Sequence, residues 1–266
     1  MRSRGAIGVF DSGVGGLSVL QHIRQALPRE RLIYVADSGH VPYGDKSPAF
    51  IEARSLAIAQ FLVEQGAGAI VIACNTATAA AVTALRSRFP LPVIGMEPAV
   101  KPAVAATRSG VVGVLATVGT LESARFAALL ERYGEEVEIV TQGCPGLVEQ
   151  VEQGDMDSTR TRALIERYTA PLLARGADTL ILGCTHYPFL AASIRRAVGE
   201  GVALVDTGAA VARHLQHRVD AELPPGSGSE ASEQFFTSGD PAEAARIMSI
   251  LWGSEVAVLR LPQQYL

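Results

Sequence analysis

The stretch Gly183-Cys184-Thr185-His186 sets a thiol, a hydroxyl and an imidazole directly after the apolar run Leu180-Ile181-Leu182. Loops at strand ends carry chemistry more often than the strands themselves. An echo lies 110 positions earlier: "GAGAIVIACNTA" (Gly66–Ala77) matches "GADTLILGCTHY" (Gly176–Tyr187). Each reads Gly-Ala, a short spacer, three aliphatics, a small residue, then cysteine. A lone cysteine at a strand end is most often a small buried hydrophobe. A matched pair, followed by Asn75-Thr76 in one copy and Thr185-His186 in the other, points to chemistry instead. Two thiols on opposite sides of one ligand suit removal of a proton from one face of a carbon and its return to the other. Each acid–base group must then lie within reach of the proton it moves.

Helices are expected after both cysteines, "TATAAAVTAL" and "PFLAASIRRA", the second with Pro188 in its first turn. A helix N-terminus favours thiolate, so either cysteine is expected to titrate near neutral pH. His186 can act as acid or base, or fix charge beside a thiolate, with Glu152 as the carboxylate that orients it. Zinc finds no support in Cys-x-x-Cys or clustered histidines. Cys144 has no counterpart in the other copy and reads as structural.

Other polar groups cluster at strand ends. "VFDSGVGG" gives Asp11 and Ser12, then glycines opening a helix. It lacks the Gly-x-x-x-x-Gly-Lys-Ser/Thr phosphate pattern, but its amides and hydroxyl suit a carboxylate. "ADSGHVPYGDKS" supplies Asp37, Ser38, Pro42, Tyr43 and Gly44, by itself a turn with capping groups, and leaves His40 open. Glu149 and Glu152 stand three apart on an expected helix in "CPGLVEQVEQG". His22, His214 and His217 receive no role.

The elements that must position these groups alternate. Strands are expected at Ala6–Phe10, Leu32–Ala36, Ala69–Ala73 and Pro92–Gly95, with helices at Gly15–Leu27, Pro48–Gln65 and Thr76–Phe89 between them. The pattern repeats with strands near Val111–Leu115, Val137–Val140, Thr179–Leu182 and Val202–Val205. Such alternation argues for parallel α/β layers. "IGVFDSGVGG" matches "VGVLATVGTL", "LIYVADSG" matches "VEIVTQGC", and "PVIGMEP" matches "VALVDTG". With the cysteine pair, four matches in one order imply two similar α/β domains related by a pseudo-two-fold, with the site in the cleft between them. "ELPPGSGSEASE" (Glu222–Glu233) reads as a surface loop. Beyond it, "QFFTSG", the helix Pro241–Leu251 and "EVAVLRL" are expected to return to the first half. The domains expected are therefore 1–97 plus 208–266, and 98–207.

Composition narrows the function. The 266 residues are 48% hydrophobic and 19% charged with a net charge of −4, so no basic face advertises nucleic acid or anionic lipid. No apolar stretch reaches the roughly 18 residues of a membrane span, and "MRSRGAIGVFDSG" does not read as a secretory signal. Three cysteines, an odd number, fit reduced thiols in a cytoplasm. A pyridoxal-phosphate enzyme needs a Schiff-base lysine. The two lysines, Lys46 and Lys101, occupy no convincing pocket, so no cofactor is expected.

Taken together, "IGVFDSGVGGLSVL", "VPYG", "ACNTATA", "CPGLVEQVE" and "GCTHYPFL" resemble the glutamate racemase family, cofactor-independent enzymes that make D-glutamate for peptidoglycan. The resemblance implies that Cys74 deprotonates D-glutamate and Cys184 L-glutamate. It implies substrate contacts from Asp11, Ser12, Pro42, Tyr43, Gly44, Asn75, Thr76 and Thr185, help from His186, and tuning by Asp37 and Glu152. Family members are often dimers, and whether this chain forms a homodimer stays open. Where many members read Ala-Arg before Val-Pro-Tyr-Gly, this chain has Gly39-His40. The competing readings are an aspartate or hydantoin racemase on the same scaffold, or a non-catalytic amino-acid-binding protein.

Overall fold

Runs of Val, Ile, Leu and Ala too apolar for a solvated face become strands covered on both sides. In the computed structural model, which describes residues 5–224 and 231–266, ten strands form two sheets, with strands at sheet edges partly exposed. They are β1 (Ala6–Asp11), β2 (Arg31–Ala36), β3 (Ala67–Ile72), β4 (Val93–Ile94), β5 (Val111–Ala116), β6 (Glu138–Gly143), β7 (Thr179–Leu182), β8 (Ala203–Val205), β9 (Ser232–Thr237) and β10 (Val258–Arg260). The first sheet runs β10-β9-β2-β1-β3-β4 and the second β6-β5-β7-β8, with every pairing parallel. The chain leaves the first sheet after β4 and rejoins it at β9. Half of the expected Pro/Gly/Ser loop, residues 225–230, lies outside the described residues, as do residues 1–4.

The internal repeat is visible in the register. The order β2-β1-β3-β4 in one sheet is the order β6-β5-β7-β8 in the other. Gly8 of β1 pairs with Ile70, and its counterpart Gly113 of β5 pairs with Leu180. Cys74 and Cys184 therefore each stand four residues beyond the partner of the matched glycine. The glycines have a packing reason. A Cβ on Gly8 would lie 3.1 Å from Leu62, and one on Gly113 would lie 2.9 Å from Leu172. Those leucines sit at matched places on the helices Pro48–Glu64 and Thr159–Ala174, which cross the two sheets.

One apolar cluster runs from the first half, through Leu17 and Tyr34, to Leu147, Leu182 and Tyr187 of the second, so the halves share a core. Each sheet carries its own cluster on the other face. Among the described residues no helix is long and apolar enough to cross a membrane.

The two cysteines lead into different local structures. Cys74 caps the helix Asn75–Arg88, its Sγ accepting from the Ala77 amide at 3.4 Å. Cys184 heads no α-helix: the chain makes a 3-10 turn, Tyr187–Leu190, before the helix Ala191–Val198. The Tyr187 amide donates to the Cys184 carbonyl three residues back, and Pro188 has no N–H with which to continue an α-helical ladder. The expected helix dipole thus acts at Cys74 only.

Candidate active site

Strand ends bring the polar groups of both halves together. Ser12, Pro42, Tyr43, Gly44, Cys74, Asn75 and Thr76 from the first half, and Cys184, Thr185 and His186 from the second, line one enclosed cavity. Its free space is about 10 Å³, room for about one water. A larger cleft of about 510 Å³ shares Gly44 and Thr76 with it and opens outward past Lys46, Val118 and Glu122.

Asp11 lies behind the cavity wall, fully buried, where it joins the halves. Its Oδ1 accepts from the Ser12 amide at 2.7 Å and the Ser12 hydroxyl at 3.2 Å. Its Oδ2 accepts from the Gly16 amide at 2.6 Å and from Thr185 Oγ1 at 3.1 Å. Burial pushes the Asp11 carboxyl up, and the charge of His186 opposes this. Ser18 Oγ donates across the halves to the Thr185 carbonyl at 2.8 Å. The glycine loop does hold carboxylates, as its amides suggest, but they are the protein's own. Ser12 and Gly16 serve Asp11, and the Val14 amide donates to Glu152 Oε1 at 2.7 Å.

Glu152 receives a second donor on the same oxygen, His186 Nε2 at 2.6 Å. The other ring nitrogen, Nδ1, faces Cys184 Sγ at 3.6 Å. Burial works against a charged imidazole here, but Cys184 and Glu152 outweigh it and raise the His186 pKa well above its ordinary value. A protonated His186 donates to both neighbours. Cys74 has a different setting. Burial, followed by the Asp11 charge, pushes its thiol well up, and the Ala77 amide offsets only part of this. The expectation that Cys74 titrates near neutral pH is thus corrected: the desolvation cost exceeds the effect of the helix N-terminus.

Asp37 is turned away from the thiols. Arg54 donates Nη2 to its Oδ1 at 2.7 Å and Nε to its Oδ2 at 3.0 Å. The Tyr43 hydroxyl donates to Oδ2 at 2.5 Å, and His40 Nδ1 lies 3.1 Å from Oδ1. Burial would raise this carboxyl, but Arg54 and Tyr43 hold it below the usual carboxylate value. Asp37 therefore reaches the cavity only through Tyr43.

Asn75 stands at the cavity wall unengaged: both its amide nitrogen and its amide oxygen are buried without a partner. Such an orphaned pair calls for a ligand. Sequence reasoning missed Thr117 and Thr120, whose hydroxyls lie 2.8 and 3.0 Å from Thr76 Oγ1 and tie the halves at the cavity rim. The repeat held the signal, because aligning Gly8 with Gly113 places Thr117 opposite Ser12. Cys144 follows β6 and is buried in the core the halves share, its thiol donating to the Gln142 carbonyl and pushed by burial up to about 12. No group of three or more His, Cys, Asp or Glu among the described residues could hold a metal ion.

Two parallel α/β halves place matched thiols on one enclosed cavity. The model of the Asp/Glu/Hydantoin racemase family matches residues 7–215, and the chain belongs to that family. It is 58% identical to the glutamate racemase of Stutzerimonas stutzeri, over 96% of this chain and 97% of that one. Among solved structures it resembles a Bacillus anthracis glutamate racemase, with TM-score 0.89 and 31% identity, covering 99% of both chains. The Escherichia coli glutamate racemase, solved with L-glutamate and an activator, superimposes with TM-score 0.85 and 36% identity over 97% of each chain.

Proposed function

We propose that this protein interconverts L- and D-glutamate without a cofactor, with Cys74 and Cys184 as the two bases. The observation that carries the reading is the pair of thiols, at equivalent register in two repeated sheets, on one cavity beside the unengaged Asn75 amide.

Burial pushes the Cys74 thiol up, so it keeps its proton, and His186 Nδ1 faces the Cys184 sulfur at 3.6 Å. In the L-to-D direction Cys184 takes the α-proton and Cys74 gives its own to the opposite face of the carbon. The electron pair left by the C–H bond forms the new one, and the thiols exchange protonation states. D-glutamate reacts in reverse, with Cys74 as the base. The Asn75 and Thr76 N–H groups that open the helix Asn75–Arg88 have no intrahelical acceptor and suit the α-carboxylate, where charge builds during proton loss. The Asn75 amide, Ser12, Thr76, Thr185 and Gly44 complete the substrate shell, Pro42 and Tyr43 wall it, and Asp11 fixes Ser12 and Thr185. Glu152 holds His186, while Asp37 acts at one remove. A cavity of about 10 Å³ cannot admit an amino acid. The rim between Gly44 and the helix Val118–Leu121 must therefore part in each cycle.

The same reading takes 1–97 plus 208–266 and 98–207 as the two domains. It places the enzyme in the cytoplasm as a source of D-glutamate for peptidoglycan, and includes a homodimer, which sedimentation equilibrium would decide. The chemical test is circular dichroism of L- and D-glutamate in deuterium oxide, beside aspartate. Wild type should lose the glutamate signal and place deuterium at the α-carbon, and Cys74→Ala and Cys184→Ala should not racemise. Full racemisation by either variant, or turnover of aspartate alone, would overturn the assignment.

A further inference from the structure

Arg54 lines no part of the cavity, yet it is buried, at 8% exposure, on the helix Pro48–Glu64. A buried carboxylate such as Asp37 needs a counter-charge, and a two-point guanidinium fork also fixes the plane in which the carboxylate lies. That plane decides where the Tyr43 hydroxyl can sit, 2.5 Å from Asp37 Oδ2. Tyr43 is itself 1% exposed and forms the cavity wall with Pro42 and Gly44. Arg54 is in turn held from behind. Its Nη2 donates to the Tyr265 carbonyl at 2.8 Å, the Tyr265 ring packs edge-on against Phe61, and the Tyr265 hydroxyl donates to Glu64. Phe61 and Glu64 lie on the same helix as Arg54, so the turn Gln263–Tyr265 clasps it.

We propose that Arg54 is a positioning residue for racemisation: through Asp37 and Tyr43 it fixes the Pro42–Gly44 wall against which the substrate is held, and the turn Gln263–Tyr265 completes it. This rests on the racemase reading above. The groups facing Asp37 are Arg54 from the helix, Tyr43 and His40 from its own loop, and Ser238 after β9. Arg54 supplies the cation bonded to both carboxylate oxygens.

The test compares Arg54→Met, Arg54→Lys and the double variant Arg54→Met/Asp37→Asn. A wall displaced by an ångström costs about 100-fold in kcat/KM, and Arg54→Met should lose about that much at pH 8. The rate should return as pH falls, because a bare buried Asp37 takes a proton, and once neutral it carries no uncompensated charge to pull it and Tyr43 out of place. The double variant, with a neutral amide in place of the carboxylate, should regain part of the rate and lose that pH dependence. Arg54→Lys, which keeps the charge but not the fork, should fall between. Crystals of Arg54→Met at pH 8 should show the Tyr43 hydroxyl displaced, and crystals of the double variant should show it in place.

Wild-type kcat/KM in Arg54→Met would overturn the proposal. So would a loss that neither lower pH nor Asp37→Asn relieves in folded protein. If Arg54→Met fails to fold, Arg54→Lys and the double variant carry the comparison. The crystals separate the two readings. A wild type that does not racemise glutamate sinks the function, whereas an unmoved Tyr43 sinks the role of Arg54.

Discussion

Gly15→Ala tests the packing around His186 without removing any chemical group. Gly15 has no positive φ, so its backbone accepts alanine, and only the added methyl matters. That Cβ would lie 2.2 Å from His186 Nδ1, where ordinary contact begins at 3.4 Å, so loop and ring must separate by about 1.2 Å. Nδ1 is the atom that faces Cys184 Sγ at 3.6 Å, and the opposite nitrogen is held by Glu152 at 2.6 Å. The ring cannot retreat without loosening one of these contacts. Overpacking of this kind costs about 1–3 kcal/mol of stability, and an ångström of misplacement costs about 100-fold in rate. Circular dichroism of each glutamate enantiomer gives the rate, and thermal melting gives the stability. Because enantiomers have equal free energy, kcat/KM must fall equally in both directions. Gly201→Ala, where a new Cβ meets nothing within 4 Å, is the control and should behave as wild type. A Gly15→Ala enzyme within twofold of wild type, with unchanged melting, would refute the packing of this loop on His186.

Glu152→Gln removes a carboxylate that holds the His186 pKa up. At about 1.5–3 kcal/mol for a charged hydrogen bond, kcat should fall about 10- to 150-fold. The alkaline limit of activity should also move to lower pH, as the imidazole loses its proton sooner; a pH–rate profile that does not move would refute this. Asp37 has a lowered folded pKa, so its stabilisation is complete above the unfolded carboxylate value of about 3.9 and is lost as pH falls through the folded value. Denaturant titrations should therefore show the stability gap between wild type and Asp37→Asn shrinking from pH 5 to pH 2, and a constant gap would contradict it. Cys144→Ala should keep racemisation while the folded wild-type Cys144 resists thiol reagents; loss of activity with an intact melt would give this thiol a chemical role.

Much of the site was legible because duplication leaves two records of one element. The spacing from Gly8 to the first thiol and from Gly113 to the second marked both strand ends, and the parallel register preserved that correspondence. The segment after Cys184 was less legible. Pro188 has the look of a helix start, but the Tyr187 amide bonds the Cys184 carbonyl three residues back and tightens the turn. The Cys74 pKa escaped sequence reading for a related reason: a helix N-terminus is visible in sequence, whereas the depth of burial beside Asp11 is not.

By itself the sequence determined the alternating elements, the repeat, the absence of a metal-type cysteine pattern and the position of both thiols, because these follow from local periodicity and spacing. Tertiary structure alone decided which groups share an oxygen. Val14 and His186 meet on Glu152 although they stand far apart along the chain, and Thr76 meets Thr117 and Thr120 at the rim. It also set Asp37 against Arg54 rather than the cavity. Such contacts depend on how the two halves close on one another. A pattern of neighbours along the chain carries no record of that distance.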